Sequence, residues 1–531
     1  MKTKLTVTGI SSVVVVAVIL IVLNLISVNV FGRVDLSEGK IYSLSQSSKD
    51  IVRNLDDRVT IKCYFSDDIP QPYNANARYL KDQLAEYKAY AGGNLNYVFI
   101  DPSKEGKEDE ARSYRIPPVP INTFSKDKLE MKQVYMGLAI LYEDRNEVIP
   151  VVQDVNSLEY EITRAIKRLA SGTTPKVGFV TGDGELSLDK DLTYINKTVG
   201  QEYELVPVNL RMSASVPKDI VTLYVMGPKQ KLSDWELYLL DQFLMRGGKL
   251  GILLDKVQAN IQQGQAQPID AGLGQFLAHF GLGVNSDLVI DVQNAQIAVQ
   301  QQRGMFRMQS LKEYPFFPRA AIFSKDNLMV KDLESANFIF ASSIDTSHFA
   351  DNPQLKYSIL ARSSEHSGVM KPPYNIDPFR EWSQLDFNRQ YVPLGVAVTG
   401  EFTSYFAGKP KPAMDSTVTM DANTTIDDSQ LESGSNGRLV VWGDANFMSD
   451  QAMRDKSNLI LFQNMTDWLS EDEGLISIRS KEVTARPLKK VDDSTRSFVK
   501  FLNMFLMPLL VVAFGVARWQ IRRQKRRRQL V

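Results

Sequence analysis

The side chains able to do chemistry are few and scattered. Gly182-Asp183-Gly184-Glu185 follows a strand-like run, with Asp189 and Asp191 close behind. Carboxylates at that density suit a divalent cation, which takes oxygen ligands. The two glycines imitate the opening of a dinucleotide fingerprint, but Ser187 stands where the third glycine belongs. The spacing is better read as a tight strand-to-helix turn whose acids are solvated and cap the next element. Gly443-Asp444 ends another apolar run. It lies where clefts form at the carboxyl edge of a sheet, and reads as a cap for the following turn. His366 sits among Ser363, Ser364 and Ser367, a serine-rich loop. Cys63, the single cysteine, falls mid-strand with no histidine nearby and reads as a small core residue. The three histidines, His279, His348 and His366, match no metal-ligand spacing. Ala407-Gly408-Lys409-Pro410 lacks the first glycine and the hydroxyl of a phosphate-binding loop. No Gly-x-Ser-x-Gly or Gly-x-Cys-x-Gly elbow occurs. The sequence therefore predicts no catalytic residue, no cofactor and no metal centre.

The elements that must hold these residues alternate. Over 33–172, a helix led by Ser45, the strand Val59–Phe65, a helix over 77–91 stopped by Gly92-Gly93, and later paired strands predict a small α/β unit resembling thioredoxin. No C-x-x-C is present, which excludes its redox chemistry. From 173 to 291, short apolar runs such as Lys176–Thr181, Ile220–Met226 and Lys249–Asp255 read as strands buried on both faces of a parallel sheet. Between them, Ser233 and Glu236 form a capping box, and Gly247 ends that helix. Residues 292–436 lose the periodicity and read as a largely β or loop insertion. The α/β pattern resumes over 437–480, with a helix at 458–470 and a strand at Leu475–Ile478. A polar linker covers 481–500.

The two ends depart from the globular average of 44% hydrophobic and 23% charged residues. An uncharged apolar run from Gly9 to Phe31 predicts a membrane anchor within 1–32, and a shorter one at 501–517 predicts a second span. The tail 518–531 carries Arg518, Arg522, Arg523, Lys525, Arg526, Arg527 and Arg528 without an acid. By the positive-inside rule this places both termini in the cytoplasm, and the tail faces anionic lipid. The portion between the spans is then net acidic and lies outside the cytoplasm, which argues against nucleic acid as its partner. Small residues on the second span, Ala513, Gly515 and Ala517, with Pro508 allowing a bend, mark the expected contact with a membrane partner.

Several motifs carry a resemblance. Asp35-Leu-Ser-Glu-Gly-Lys-Ile-Tyr-Ser-Leu-Ser, Thr181-Gly-Asp-Gly-Glu, Met226-Gly-Pro-Lys, Val441-Trp-Gly-Asp-Ala-Asn-Phe and Asn464-Met-Thr-Asp-Trp-Leu-Ser occur in order along the chain. Together they resemble the gliding-motility-associated ABC transporter auxiliary proteins (GldG-like). The turn that usually reads Gly-His-Gly-Glu there has Asp183 in place of the histidine. The unit from 175 also looks like glutamine amidotransferase domains without their nucleophile. The resemblance implies a noncatalytic auxiliary subunit, recognising or steering substrate beside a separate permease and ATPase in the bacterial inner membrane. The expected fold is α/β: two membrane helices flank a periplasmic region that holds the thioredoxin-like unit and a flavodoxin- or amidotransferase-like parallel domain with its insertion. A cell-envelope scaffold without a transport role is the alternative. A hydrolase of amidotransferase ancestry is opposed by the missing elbow.

Overall fold

The computed structural model describes residues 43–125, 128–155, 157–172, 174–303, 306–414, 429–453, 455–470 and 473–482, and a few positions between 500 and 519. The chain divides into two units, 1–483 and 484–531. All the described sheets belong to the first unit.

The first sheet begins with β1 (Val59–Phe65), where Val59, Ile61 and Cys63 are buried and Thr60 and Lys62 are half-exposed, the period of two of a strand. β2 (Leu95–Ile100) pairs with it in parallel. The hairpin of β3 (Val119–Ser125) and β4 (Lys128–Val134) stands apart as a two-stranded sheet. β5 (Met136–Tyr142) returns antiparallel to β1, and β6 (Arg145–Ile149) completes the order β2-β1-β5-β6. Helices Gln46–Arg53, Asn76–Tyr90 and Leu158–Ser171 contribute Val52, Leu80, Leu84, Tyr87, Ile162 and Ile166 to its core. The first helix is capped by Ser45, whose Oγ accepts from Ser48 N. The Ser45 backbone N–H donates to the buried Glu159 carboxylate at 2.6 Å.

The second sheet has eight strands. β7 (Lys176–Thr181), β8 (Glu204–Asn209), β9 (Ile220–Met226) and β10 (Lys249–Leu253) are parallel. The short hairpin β11 (Val257–Asn260)–β12 (Gln265–Pro268) follows β10. Small antiparallel pairs come next: β13 (Gly283–Val284) with β19 (Ile344–Asp345), and β14 (Leu288–Asp291) with β21 (Ser367–Met370). A long arm is formed by β15 (Asn294–Arg303) and β16 (Phe306–Ala320), the latter also touching β18 (Ala336–Asn337). β17 (Ile322–Phe323), β20 (Leu355–Arg362) and β22 (Pro393–Thr403) then join the central sheet antiparallel, beside β23 (Ser433–Trp442). The order is β17-β20-β22-β23-β10-β9-β7-β8. This corrects the expected wholly parallel sheet: the segment read as an insertion supplies three of the eight strands. Apolar side chains on β22 require that merger, since Val396 and Val398 pair with Val441 and Leu439 and all four are buried. Gly395 leaves room for the Trp442 ring opposite it, which a Cβ would meet at 2.2 Å.

Leu475–Ile478, expected as a strand, belongs to a helix, Glu473–Glu482. Leu475 and Ile478 pack with Tyr160 of helix Leu158–Ser171. Arg479, four residues after Leu475, reaches Asp467, Asn464, Glu202 and Tyr160. A four-residue apolar run cannot tell strand from helix, and this packing decides it.

The two flanking membrane helices, and the inner-membrane localisation reasoned from them, are corrected as well. Among the described residues no helix is long and apolar enough to cross a membrane. A span takes about 20 residues, whereas Asn76–Tyr90, the longest described helix, has 15 and carries several charges. The expected span at 9–31 lies outside the described residues, as do most positions of 501–517.

Candidate functional site

Parallel strands deliver their following turns to one edge, and here each turn brings a polar group. After β7 the chain turns through Gly182 (φ +131°) and Gly184 (φ +83°), a conformation that favours glycine. Gly184 packs on Lys229, where a Cβ would stand 3.2 Å from the lysine side chain. The Asp183 carbonyl accepts from the backbone N–H groups of Lys229 and Gln230, at 2.8 and 2.9 Å. Asp183 is fully buried, which corrects its reading as part of a solvated loop. Its carboxylate pairs with the Arg211 guanidinium. Arg211 also lies 3.7 Å from Glu236, whose other oxygen closes the capping box by accepting from Ser233 N at 2.8 Å. Glu185 accepts from the Asp183 backbone N–H at 2.7 Å. One carboxylate oxygen each of Asp183, Glu185 and Glu236 is buried without a hydrogen-bond partner. Burial, the Glu236 carboxylate and Glu185 push Asp183 up to about 7, against the pull of Arg211. Among the described residues no three acidic, histidine or cysteine side chains are placed to hold a metal ion.

After β10 and β23 come Asp255 and Asp444, both buried. Asp255 accepts from Ala445 N (2.7 Å) and from the Asn446 amide (2.9 Å). Asp444 accepts from Ile339 N (2.6 Å) and Asn446 N (2.8 Å), so it caps the following turn as its position predicts. Burial raises both groups; Asp255 stands at about 6, with the Lys229 charge and its hydrogen bonds opposing the rise.

Above this floor opens a cleft of about 380 Å³. Lys229, Asp255 and Asn446 enter it from the strand ends, β11 forms one side, and Phe317, Ile339 and Phe340 make an apolar wall. Phe340 holds φ at +59°, rare for a bulky side chain, and packs edge-on against Phe317 with centroids 5.2 Å apart. A wider cavity of about 610 Å³ lies around Asp287, Asp345, Lys371 and Arg389. We place the candidate site in the smaller cleft, because it alone of the two gathers the strand-end turns. In the wider one Asp287 is spent on Ser343 N and Oγ, and Asp345 on Ser347 N.

The other residues singled out from sequence are not brought here. Cys63 is buried in the first sheet, and burial pushes its thiol up. Ser363, Ser364 and Ser367 are buried in a hydrogen-bonded knot with Asp291 that takes the His366 backbone N–H. Pro508, Ala513, Ala517, Arg522, Arg523, Lys525, Arg526, Arg527 and Arg528 lie outside the described residues, while Gly515 and Arg518 fall in short described stretches and are exposed. Sequence reasoning missed Asp255, Arg211 and Phe340 as members of this edge. An acid directly after a buried strand was the available signal for Asp255.

Residues 174–471, the second sheet with its helices, match the profile of a family described as "ABC-type uncharacterized transport system". The chain belongs to that family. Membership makes it an auxiliary component of an ABC-type transport system and implies association with the components of one. Residues 38–141 match a domain of unknown function, DUF7088. An "Uncharacterized protein" of Borreliella burgdorferi is 23% identical over 512 residues, covering 94% of this chain and 95% of that one. Among solved structures, the mmIFT52 N-terminal domain aligns with a TM-score of 0.34 at 13% identity, over 56% of this chain and 97% of that one. The exo-beta-1,4-mannosidase Op5Man5 from Opitutaceae bacterium strain TAV5 aligns at 0.23 and 9% identity, over 73% and 48%. Likenesses that weak carry no argument about fold or function.

Proposed function

We propose that this family member is the noncatalytic, substrate-recognising subunit of an ABC transport system, working with a separate permease and ATPase. The observation that carries this reading is the strand-edge cleft. It offers an ammonium, carboxamides and an apolar wall, and both oxygens of its one acid are engaged by neighbours. Its one hydroxyl, on Ser449, donates to the Asn446 carbonyl at 2.7 Å and not to a base, so the lining suits holding a ligand, whereas hydrolysis needs a nucleophile within reach of a base. A role in gliding motility is supported by the resemblance of the motifs alone.

A tagged chain, solubilised from its native cells in mild detergent, should bring down one permease and one ATPase identifiable by mass spectrometry. ATP hydrolysis by the recovered complex should change when the chain is removed. Recovery of neither component, or ester, amide or nucleotide hydrolysis by the purified chain alone, would sink the proposal.

A further inference from the structure

The cleft meets β11 in an unusual way. Val257, Gln258, Ala259 and Asn260 all line it, followed by Ile261 and Gln262. Successive side chains of a strand point to opposite faces, so a cleft against one face would meet every second residue. Meeting each in turn means that the backbone edge of β11 borders the cleft. The ladder shows what that edge presents. The Lys256 carbonyl accepts from Ile269 N at 2.8 Å, and bonded pairs alternate in an antiparallel ladder. Gln258, opposite Gln267, is then the next bonded pair. Val257 faces Pro268, which has no N–H to give. Val257 and Ala259 therefore turn their N–H and C=O groups away from β12. No described strand pairs there, since the sheet is β11 and β12 alone, and the extra bridge from Gln265 to Asn375 is on the β12 side. Strand edges are ordinarily covered, twisted away or blocked by charge; this one fronts a cavity.

The cleft holds one cation and one acid, and the Lys229 charge acts on Asp255 from beyond ion-pair distance. Both Asp255 oxygens are held by Ala445 and Asn446, whereas Lys229 makes no ion pair among the described residues. Gln258, Gln262 and Gln451 offer amide donors and acceptors around it, and Phe317 and Phe340 supply an apolar wall.

Resting on the reading of this cleft as the recognition site, we propose that its occupant is an extended polypeptide segment bearing a carboxylate. The segment adds to β11 as a third strand through Val257 and Ala259 and sets its acid on Lys229, as in β-strand addition, where main-chain bonds give affinity and pockets choose side chains.

The test begins with the purified full-length chain and a phage-displayed library of random heptapeptides. Enriched peptides should carry an acidic residue, and the tightest should be synthesised for calorimetry. Lys229→Ala should weaken binding about tenfold, the loss of one charge-assisted hydrogen bond, while Lys229→Arg should hold it. Methylating alternate backbone nitrogens of the peptide should weaken binding at least tenfold in one register and leave the other unaffected, because only one set of amides faces β11. That arm alters no residue of the protein, so it stands whatever the variants do to folding. Failure to enrich a binder sensitive to Lys229, or equal tolerance of methylation in both registers, would overturn the proposal. So would maltoheptaose, an uncharged sugar chain, displacing the peptide from the cleft. Recovery of the permease and ATPase does not depend on this result, so peptide binding can fail while the auxiliary role stands.

Discussion

Three carboxylates around one guanidinium are more negative charge than a buried site holds without a proton, and burial beside Glu236 and Glu185 raises Asp183. Its native value of about 7 lies above the roughly 3.9 of an unfolded chain. The folded state thus binds more protons than the unfolded one between those values. The stability that this group contributes is complete below about pH 4 and is lost as pH rises through about 7. Between pH 5 and 8 the loss should be about 2 kcal/mol. Asp183→Asn keeps the shape, can still accept from Arg211 and has no proton to lose over this range. We expect its thermal midpoint to fall less from pH 5 to pH 8 than that of the natural chain, any remaining slope belonging to the other acids that burial raises, among them Glu185, Asp241, Asp255, Asp291 and Asp444. Equal slopes would place the proton elsewhere. The Gly-Asp-Gly turn was legible as a turn because glycine at positive φ leaves a mark in sequence. The burial of its acid was not, because Arg211 and Glu236 come from other elements, 28 residues on for Arg211.

Among the elements, helix Glu473–Glu482 shows how far local pattern reaches. The boundaries of helix Asp234–Met245 follow from Ser233, Glu236 and Gly247, since capping is a local bargain between side chain and backbone. Leu475–Ile478 has no such marks, and its helix exists because Arg479 finds partners far away in the chain. Arg479 is 3% exposed, and its guanidinium bonds Asp467 at 2.8 Å and Asn464 at 2.9 Å and lies over the Tyr160 ring at 4.4 Å. Glu202, 3.6 Å from it, also takes the Tyr160 hydroxyl and Arg164. Arg479→Met would leave Asp467 without its cation and should cost about 3 kcal/mol. Adding Asp467→Asn should restore part of the loss. Urea titration followed by tryptophan fluorescence reads this, because Trp468 adjoins Asp467. A single variant as stable as the natural chain would show that the network holds nothing.

For the whole molecule, the eight-stranded sheet draws three of its strands from the apparent insertion. β23 is apolar and buried from Leu439 to Trp442, and β22 lies along it. Excising 306–414 would bare that edge, and we expect the product to elute in the void volume of a sizing column. A folded monomer would mean that the parallel strands suffice alone. Periodicity made the strands of 176–253 legible, since burial on both faces leaves unbroken apolar runs. The joining of β20 and β22 to them was hidden, because their side chains find partners only across a distant pairing. The position of helix Glu473–Glu482 has a mechanical consequence. It is the last described element before residue 484, and it packs on the helices of both sheets. A pull on the chain beyond Val483 is therefore received first by a rod pinned along its side, with Arg479 as the bolt. Rods so held resist by shear, many contacts yielding together, whereas a terminal strand peels one bond at a time. Tension arriving from that end would be shared between the two sheets before either lost a strand.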